Sequence, residues 1–189
     1  MKKYNDKWFY KLLRPILKSH FKFFYKPTII GIDNIPKNGR VILAGNHIDN
    51  LDCLLLISST KRHIHFLAKK ELFTGIKGII FSNLGLIPVD RDKKNPNAIK
   101  DAEMYLNNDK VIGIFPEGTT EKGRGLLPFK LGAVKIANDT NTSIVPFKIM
   151  GRYKVFRKSI TIVFGNKLRV ETDNLLLENK RLRDIINEL

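Results

Sequence analysis

The residues best suited to chemistry in this chain are His47 and Asp52, five positions apart within Val41–Ile57, VILAGNHIDNLDCLLLI. A neutral imidazole held by a carboxylate is the general base used to deprotonate a hydroxyl. On a single helix, five residues at about 100° each leave the two side chains about 140° apart. They converge only if the chain bends between them, with His47 in a loop and Asp52 in the first turn of a helix. Asp49 or Asn50 is placed to cap that helix by accepting from its orphan N–H groups. The same letters also spell plain capping, with His47 a surface loop residue. The spacing alone leaves both readings open.

The elements that must position this pair follow a consistent pattern. The apolar run Val41–Ala44 reads as a buried strand ending just before His47, and Cys53–Ile57 reads as a helix. Leu86–Val89 is a short strand leading to Arg91. Val111–Phe115 is another, delivering Pro116-Glu117-Gly118-Thr119-Thr120. Further strands are expected at Thr28–Ile32, His63–Ala68, Ser143–Ile149 and Ser159–Phe164, with helices opening at Pro96 and spanning Phe129–Asn138 and Leu176–Leu189. Strands alternating with helices predict an α/β fold, a single domain over 27–189 with a mixed, largely parallel sheet flanked by helices. In such sheets sites collect beyond the carboxyl ends of the strands. His47, Arg91 and Glu117 share that placement.

Taken singly, these residues say less. Arg91 can clamp a phosphate with its planar fork, or merely pair with Asp90 or Asp92 on the surface. Gly113–Thr119 lacks the lysine of a phosphate-binding P-loop. No G-x-S-x-G nucleophile elbow is present. Cys53 sits in an apolar helical run, where cysteine is a small buried hydrophobe. His63 and His65 share a strand face with no third ligand nearby, so no metal site is expected.

The chain of 189 residues carries 34 Lys and Arg against 18 Asp and Glu, a formal charge of +16. Such a surface seeks polyanions: nucleic acid, anionic membrane or a phosphorylated substrate. No helix-turn-helix, zinc-finger or RNA-recognition signature accompanies the charge, so nucleic acid is the weaker choice. Residues 1–26 hold eight basic residues and one acid, interleaved with an apolar stripe at helical spacing that includes Trp8, Phe9, Leu13 and Leu17. Pro15 is expected to divide this segment into two short helices. No stretch is long and apolar enough to span a bilayer. The pattern fits amphipathic helices lying in a membrane interface, favouring anionic lipid, with Trp8, Phe9, Leu13 and Leu17 as the docking residues. That would place the protein peripherally on the cytoplasmic face of the membrane, residues 1–26 forming a separable docking segment.

Four blocks occur in order: Asn46-His47-x-x-x-x-Asp52, Gly85-Leu86-Ile87-Pro88-Val89-Asp90-Arg91, Phe115-Pro116-Glu117-Gly118-Thr119, and Val145-Pro146. Phe66–Phe73 and Phe129–Ala133 add to them. Together they resemble the glycerolipid acyltransferase family typified by 1-acylglycerol-3-phosphate acyltransferase, over roughly residues 28–165. The resemblance implies acyl transfer from acyl-CoA or acyl carrier protein to a lipid hydroxyl, with the thioester as co-substrate and no cofactor or metal. By position it implies His47 as base, Asp52 as its orienting partner, and Arg91 as a phosphate ligand. Glu117, Gly118 and Thr119 would shape the acceptor site, and Lys69 is a further candidate for the phosphate. Two positions depart from the family pattern. Asp49 stands where serine is frequent, and Thr120 stands where an arginine often supplies a cation. The second departure keeps glycerol 3-phosphate or another lysolipid open as the acceptor, with Arg124 as a possible substitute cation.

Overall fold

In a computed structural model the described residues are 8–89, 96–120, 123 and 125–189. The order is α1 (Trp8–Phe24), β1 (Thr28–Ile30), β2 (Val41–Gly45), α2 (Asp52–Ser59), β3 (Ile64–Lys69), α3 (Gly75–Asn83), β4 (Ile87–Val89), α4 (Pro96–Leu106), β5 (Val111–Ile114), α5 (Gly132–Asp139), β6 (Ile144–Gly151), β7 (Ile160–Phe164) and α6 (Leu175–Glu188). Short 3-10 turns lie at Ile32–Asn34 and Lys70–Phe73. The seven strands form one sheet in the order β1-β7-β6-β2-β5-β3-β4. All neighbours are parallel except β6 and β7, which run antiparallel. The mixed α/β sheet expected from the sequence is therefore the fold.

The central strands are apolar runs because both of their faces are covered. Every residue of β2 and β5 is buried. Alternate residues then divide between two layers, as a period of two requires. Val41 and Leu43 join Ile64, Phe66 and Phe147 in the core under α1, α2 and α3. Ile42, Ala44, Ile112 and Ile114 face Ala102 and Leu106 of α4, Val134 and Ile136 of α5, and Leu182 and Ile186 of α6. Gly113 makes room for its partner across β3 and β5, since a Cβ there would run into the Phe66 ring.

Pro15 does not divide the first segment, since Trp8–Phe24 is one 17-residue helix containing it. An internal proline costs a helix about 3 kcal/mol. The buried anchors Tyr10 and Phe21 lie on either side of it, and the packing they make on the core offsets that cost. The phenol of Tyr10 also donates to the Arg62 carbonyl at 3.0 Å. Helix α1 thus shares the main core and packs along α2.

The apolar surface of α1 is split in two. Phe9, Leu13 and Leu17 are half-buried against the core. Trp8, Leu12, Ile16 and Phe23 are exposed, Trp8 by 72%. At about 100° per residue these four span an arc of about 80°. Lys11, Lys18 and Lys22 are exposed along one edge of it. Of the residues expected to face lipid, Trp8 does point outward, whereas Phe9, Leu13 and Leu17 face the domain. Among the described residues no helix is long and apolar enough to cross a membrane.

Candidate active site

Strands β6, β2, β5, β3 and β4 are neighbours running the same way, so their carboxyl ends line one edge of the sheet. His47 follows β2, Glu117 follows β5, and Lys69 is the exposed last residue of β3. Arg91, beyond β4, lies outside the described residues, as does Arg124.

The bend between His47 and Asp52 brings the two together. Helix α2 begins at Asp52 itself, and the preceding position, Leu51, provides no side-chain cap. Asp49 was a candidate cap, but its Oδ1 accepts from the Leu51 N–H at 2.9 Å, closing the loop before the helix. Asp52, fully buried, turns back over that loop. Its Oδ2 accepts from His47 Nδ1 at 2.8 Å, the Ile48 N–H at 2.7 Å and the Asp49 N–H at 2.9 Å. Its Oδ1 accepts from the Tyr153 hydroxyl at 2.7 Å. Four converging donors suit an ionised carboxylate. The contact with Asp52 sets the tautomer of His47, with the proton on Nδ1 and the lone pair on Nε2. The imidazole stacks on Phe115, ring centroids 4.1 Å apart, which fixes its plane.

Glu117 serves the same loop. Its buried carboxylate accepts from the His47 N–H at 2.9 Å through Oε1 and from the Leu127 N–H at 3.0 Å through Oε2. It braces the histidine loop against the chain beyond β5. Asn46, one residue before His47, exchanges both amide bonds with Ile149, at 2.8 and 2.7 Å, and so ties β2 to β6. Gly118 has φ +72°, a backbone region open to glycine, and a Cβ there would stand 2.9 Å from the Lys130 ammonium. Thr119 beside it is exposed. A cleft of about 280 Å³ opens beside the histidine loop, lined by Asn46, Ile48, Leu126, Lys148 and Met150.

Two further groups can be given roles from their surroundings. The Cys53 thiol is pushed up to about 12 by burial and by the negative charge of Asp52, so it remains a protonated thiol. Burial, then the charge of Asp52, pushes the Tyr153 phenol far above its ordinary value, so it stays a donor. Sequence reasoning missed Tyr153. Its one legible signal is position, two residues beyond the end of β6, on the same edge as His47 and Glu117.

Comparison with known proteins places the chain in a family. A family model described as acyltransferase matches residues 26–150. The chain belongs to the acyltransferase family. Its relatives include a 1-acyl-sn-glycerol-3-phosphate acyltransferase of Borreliella burgdorferi, 34% identical over 148 residues, covering 77% of this chain and 58% of that protein. Another of that name, from Bacillus subtilis, is 32% identical over 121 residues, covering 63% of this chain and 60% of that protein. The chain therefore spans about three fifths of the length of these two relatives. A crystal structure of the 1-acyl-sn-glycerophosphate acyltransferase PlsC from Thermotoga maritima superimposes with a TM-score of 0.80, covering 97% of this chain and 78% of that one. At 22% identity this likeness establishes the shared fold.

Proposed function

We propose that this acyltransferase moves an acyl group from acyl-CoA or acyl carrier protein to the free hydroxyl of 1-acylglycerol 3-phosphate, giving phosphatidic acid for phospholipid synthesis. The observation that carries the reading is the 2.8 Å contact between His47 Nδ1 and a fully buried Asp52. Named relatives acting on that acceptor support the choice of substrate. In this reading Nε2 removes the hydroxyl proton as the oxygen attacks the thioester carbonyl. An alcohol is far too weak an acid to ionise beforehand, so transfer and attack are concerted. Asp52 stabilises the imidazolium that forms, and the proton passes to the departing thiolate. The acceptor phosphate is held by Arg91, Lys69 and, where Thr120 supplies no cation, Lys130 beside Gly118.

The lysolipid resides in the membrane, and the exposed stripe Trp8–Leu12–Ile16–Phe23 with its lysines suits a helix lying on the cytoplasmic lipid surface. The decisive assay measures thiol release from acyl-CoA with and without lysophosphatidic acid, and phosphatidic acid by mass. His47→Ala is expected to lose about 10²–10⁴-fold in activity, the usual contribution of a general base, while remaining folded. Full transfer by a folded His47→Ala protein ends the general-base reading.

A further inference from the structure

The turn between β6 and β7 has a feature that its role as a connection does not explain. It runs Arg152-Tyr153-Lys154-Val155-Phe156-Arg157-Lys158, four cations and no acid. Tyr153 points inward to Asp52. Val155 and Phe156 point outward and are 50% and 61% exposed. The Arg157 N–H donates to the Lys154 carbonyl, which makes Phe156 the third residue of a tight turn. Phe156 has φ +59°. That backbone region is natural for glycine or asparagine and disfavoured for a bulky side chain. An aromatic residue here carries backbone strain and also exposes its ring to water. Glycine would remove both costs.

The position of the ring supplies the reason. Phe156 lies edge-on to Phe23, centroids 5.7 Å apart, and 5.4 Å from Phe24, and its N–H donates to the Phe24 carbonyl. Phe23 is the last member of the exposed stripe of α1 and is itself 62% exposed. Val155 and Phe156 therefore extend that stripe off the end of the helix and onto the turn. Around them stand exposed cations: Arg152, Lys154, Arg157 and Lys158 from the turn, and Lys22 and Lys26 from the end of α1. Exposed aromatic and aliphatic side chains ringed by Lys and Arg match an anionic bilayer, which takes the apolar groups below its headgroups and the cations among them.

We infer that the Arg152–Lys158 turn is a second lipid-contacting element, joined to α1 through Phe23 and selective for anionic membranes. This rests on the reading of α1 as a surface helix and is independent of the acyl-transfer reading, because its test measures binding.

The test uses the full chain and vesicles of phosphatidylcholine, alone or mixed with phosphatidylglycerol. In a Trp8→Phe background, Phe156→Trp is expected to shift its emission to shorter wavelength on mixed vesicles and not on phosphatidylcholine alone. Val155→Ser with Phe156→Ser is expected to weaken sedimentation with mixed vesicles by about tenfold, from the apolar surface withdrawn. Phe156→Gly is expected to weaken binding and raise the melting temperature together, since it relieves the strained φ. A Trp8→Ser, Leu12→Ser, Ile16→Ser protein measures the helix contribution separately. Unchanged emission at position 156 overturns the inference, as does vesicle binding lost in the helix variant but intact in the turn variant. Salt-sensitive binding that ignores Val155 and Phe156 would mark the turn as a general polyanion contact and overturn it equally. A Phe156→Gly protein that melts lower, with binding unchanged, would return Phe156 to a packing role.

Discussion

Asp52 receives four donors, and they differ in how far the sequence reveals them. His47 is five residues away, and a loop followed by a helix start is enough to predict their meeting. The Ile48 and Asp49 amides follow from the same bend. Tyr153 is 101 residues distant and follows an unremarkable strand, so no local spacing could connect it to Asp52. Glu117 was legible as a residue after a strand but not in its task, which is to hold the His47 amide across 70 residues of chain. The Tyr153 hydroxyl gives the clearest residue-scale prediction. Tyr153→Phe keeps the ring packed against Phe21 and Tyr25 while removing the donor to Asp52 Oδ1. Loss of a charge-assisted hydrogen bond is worth about 1.5–3 kcal/mol. The expected outcome is kcat lowered by about tenfold with acceptor KM little changed. A Tyr153→Phe protein with the kcat of the parent removes Tyr153 from the machinery.

Among the elements, those buried on both faces were read most securely. Strands β2 and β5 are short apolar runs between turn signals, the composition of a parallel strand covered on both faces. Helix α1 was harder, because two opposing tendencies had to be weighed. Pro15 argued for a break, whereas Tyr10 and Phe21 supply tertiary packing that a local rule does not contain. The same helix shows why an apolar stripe alone does not identify its partner. Its stripe is wide enough to serve the core with one half and solvent with the other, and sequence spacing does not mark the division. Trp8→Ser, Leu12→Ser and Ile16→Ser together are expected to weaken binding to anionic vesicles while leaving the melting temperature nearly constant. Phe9→Ser, Leu13→Ser and Leu17→Ser are expected to lower the melting temperature instead, by several degrees each, as half-buried apolar groups are lost. The two sets, compared by vesicle sedimentation and thermal unfolding, separate the faces.

For the whole molecule, the charge of +16 and the exposed apolar groups make different demands on solution conditions. Each basic residue near an anionic surface contributes about 1 kcal/mol, and that share is screened by salt. Vesicle binding is therefore expected to fall steeply with added salt and then level off at an apolar remainder, measured by titrating salt against bound fraction. Binding that falls to zero would mean that the stripe never enters the lipid. The order of strands in the sheet has a consequence for synthesis. His47 and Asp52 follow strand β2 in the loop and first turn of α2, but the sheet neighbours of β2, β5 and β6, come far later in the chain, and with them Glu117 and Tyr153. During translation the histidine and aspartate leave the ribosome without the residues that hold them. Helix α1, by contrast, precedes every strand of the sheet and carries Trp8, Leu12, Ile16 and Phe23 on its outward face. The helix proposed to meet lipid is thus made well before Glu117 and Tyr153, the residues that hold the His47–Asp52 pair in place.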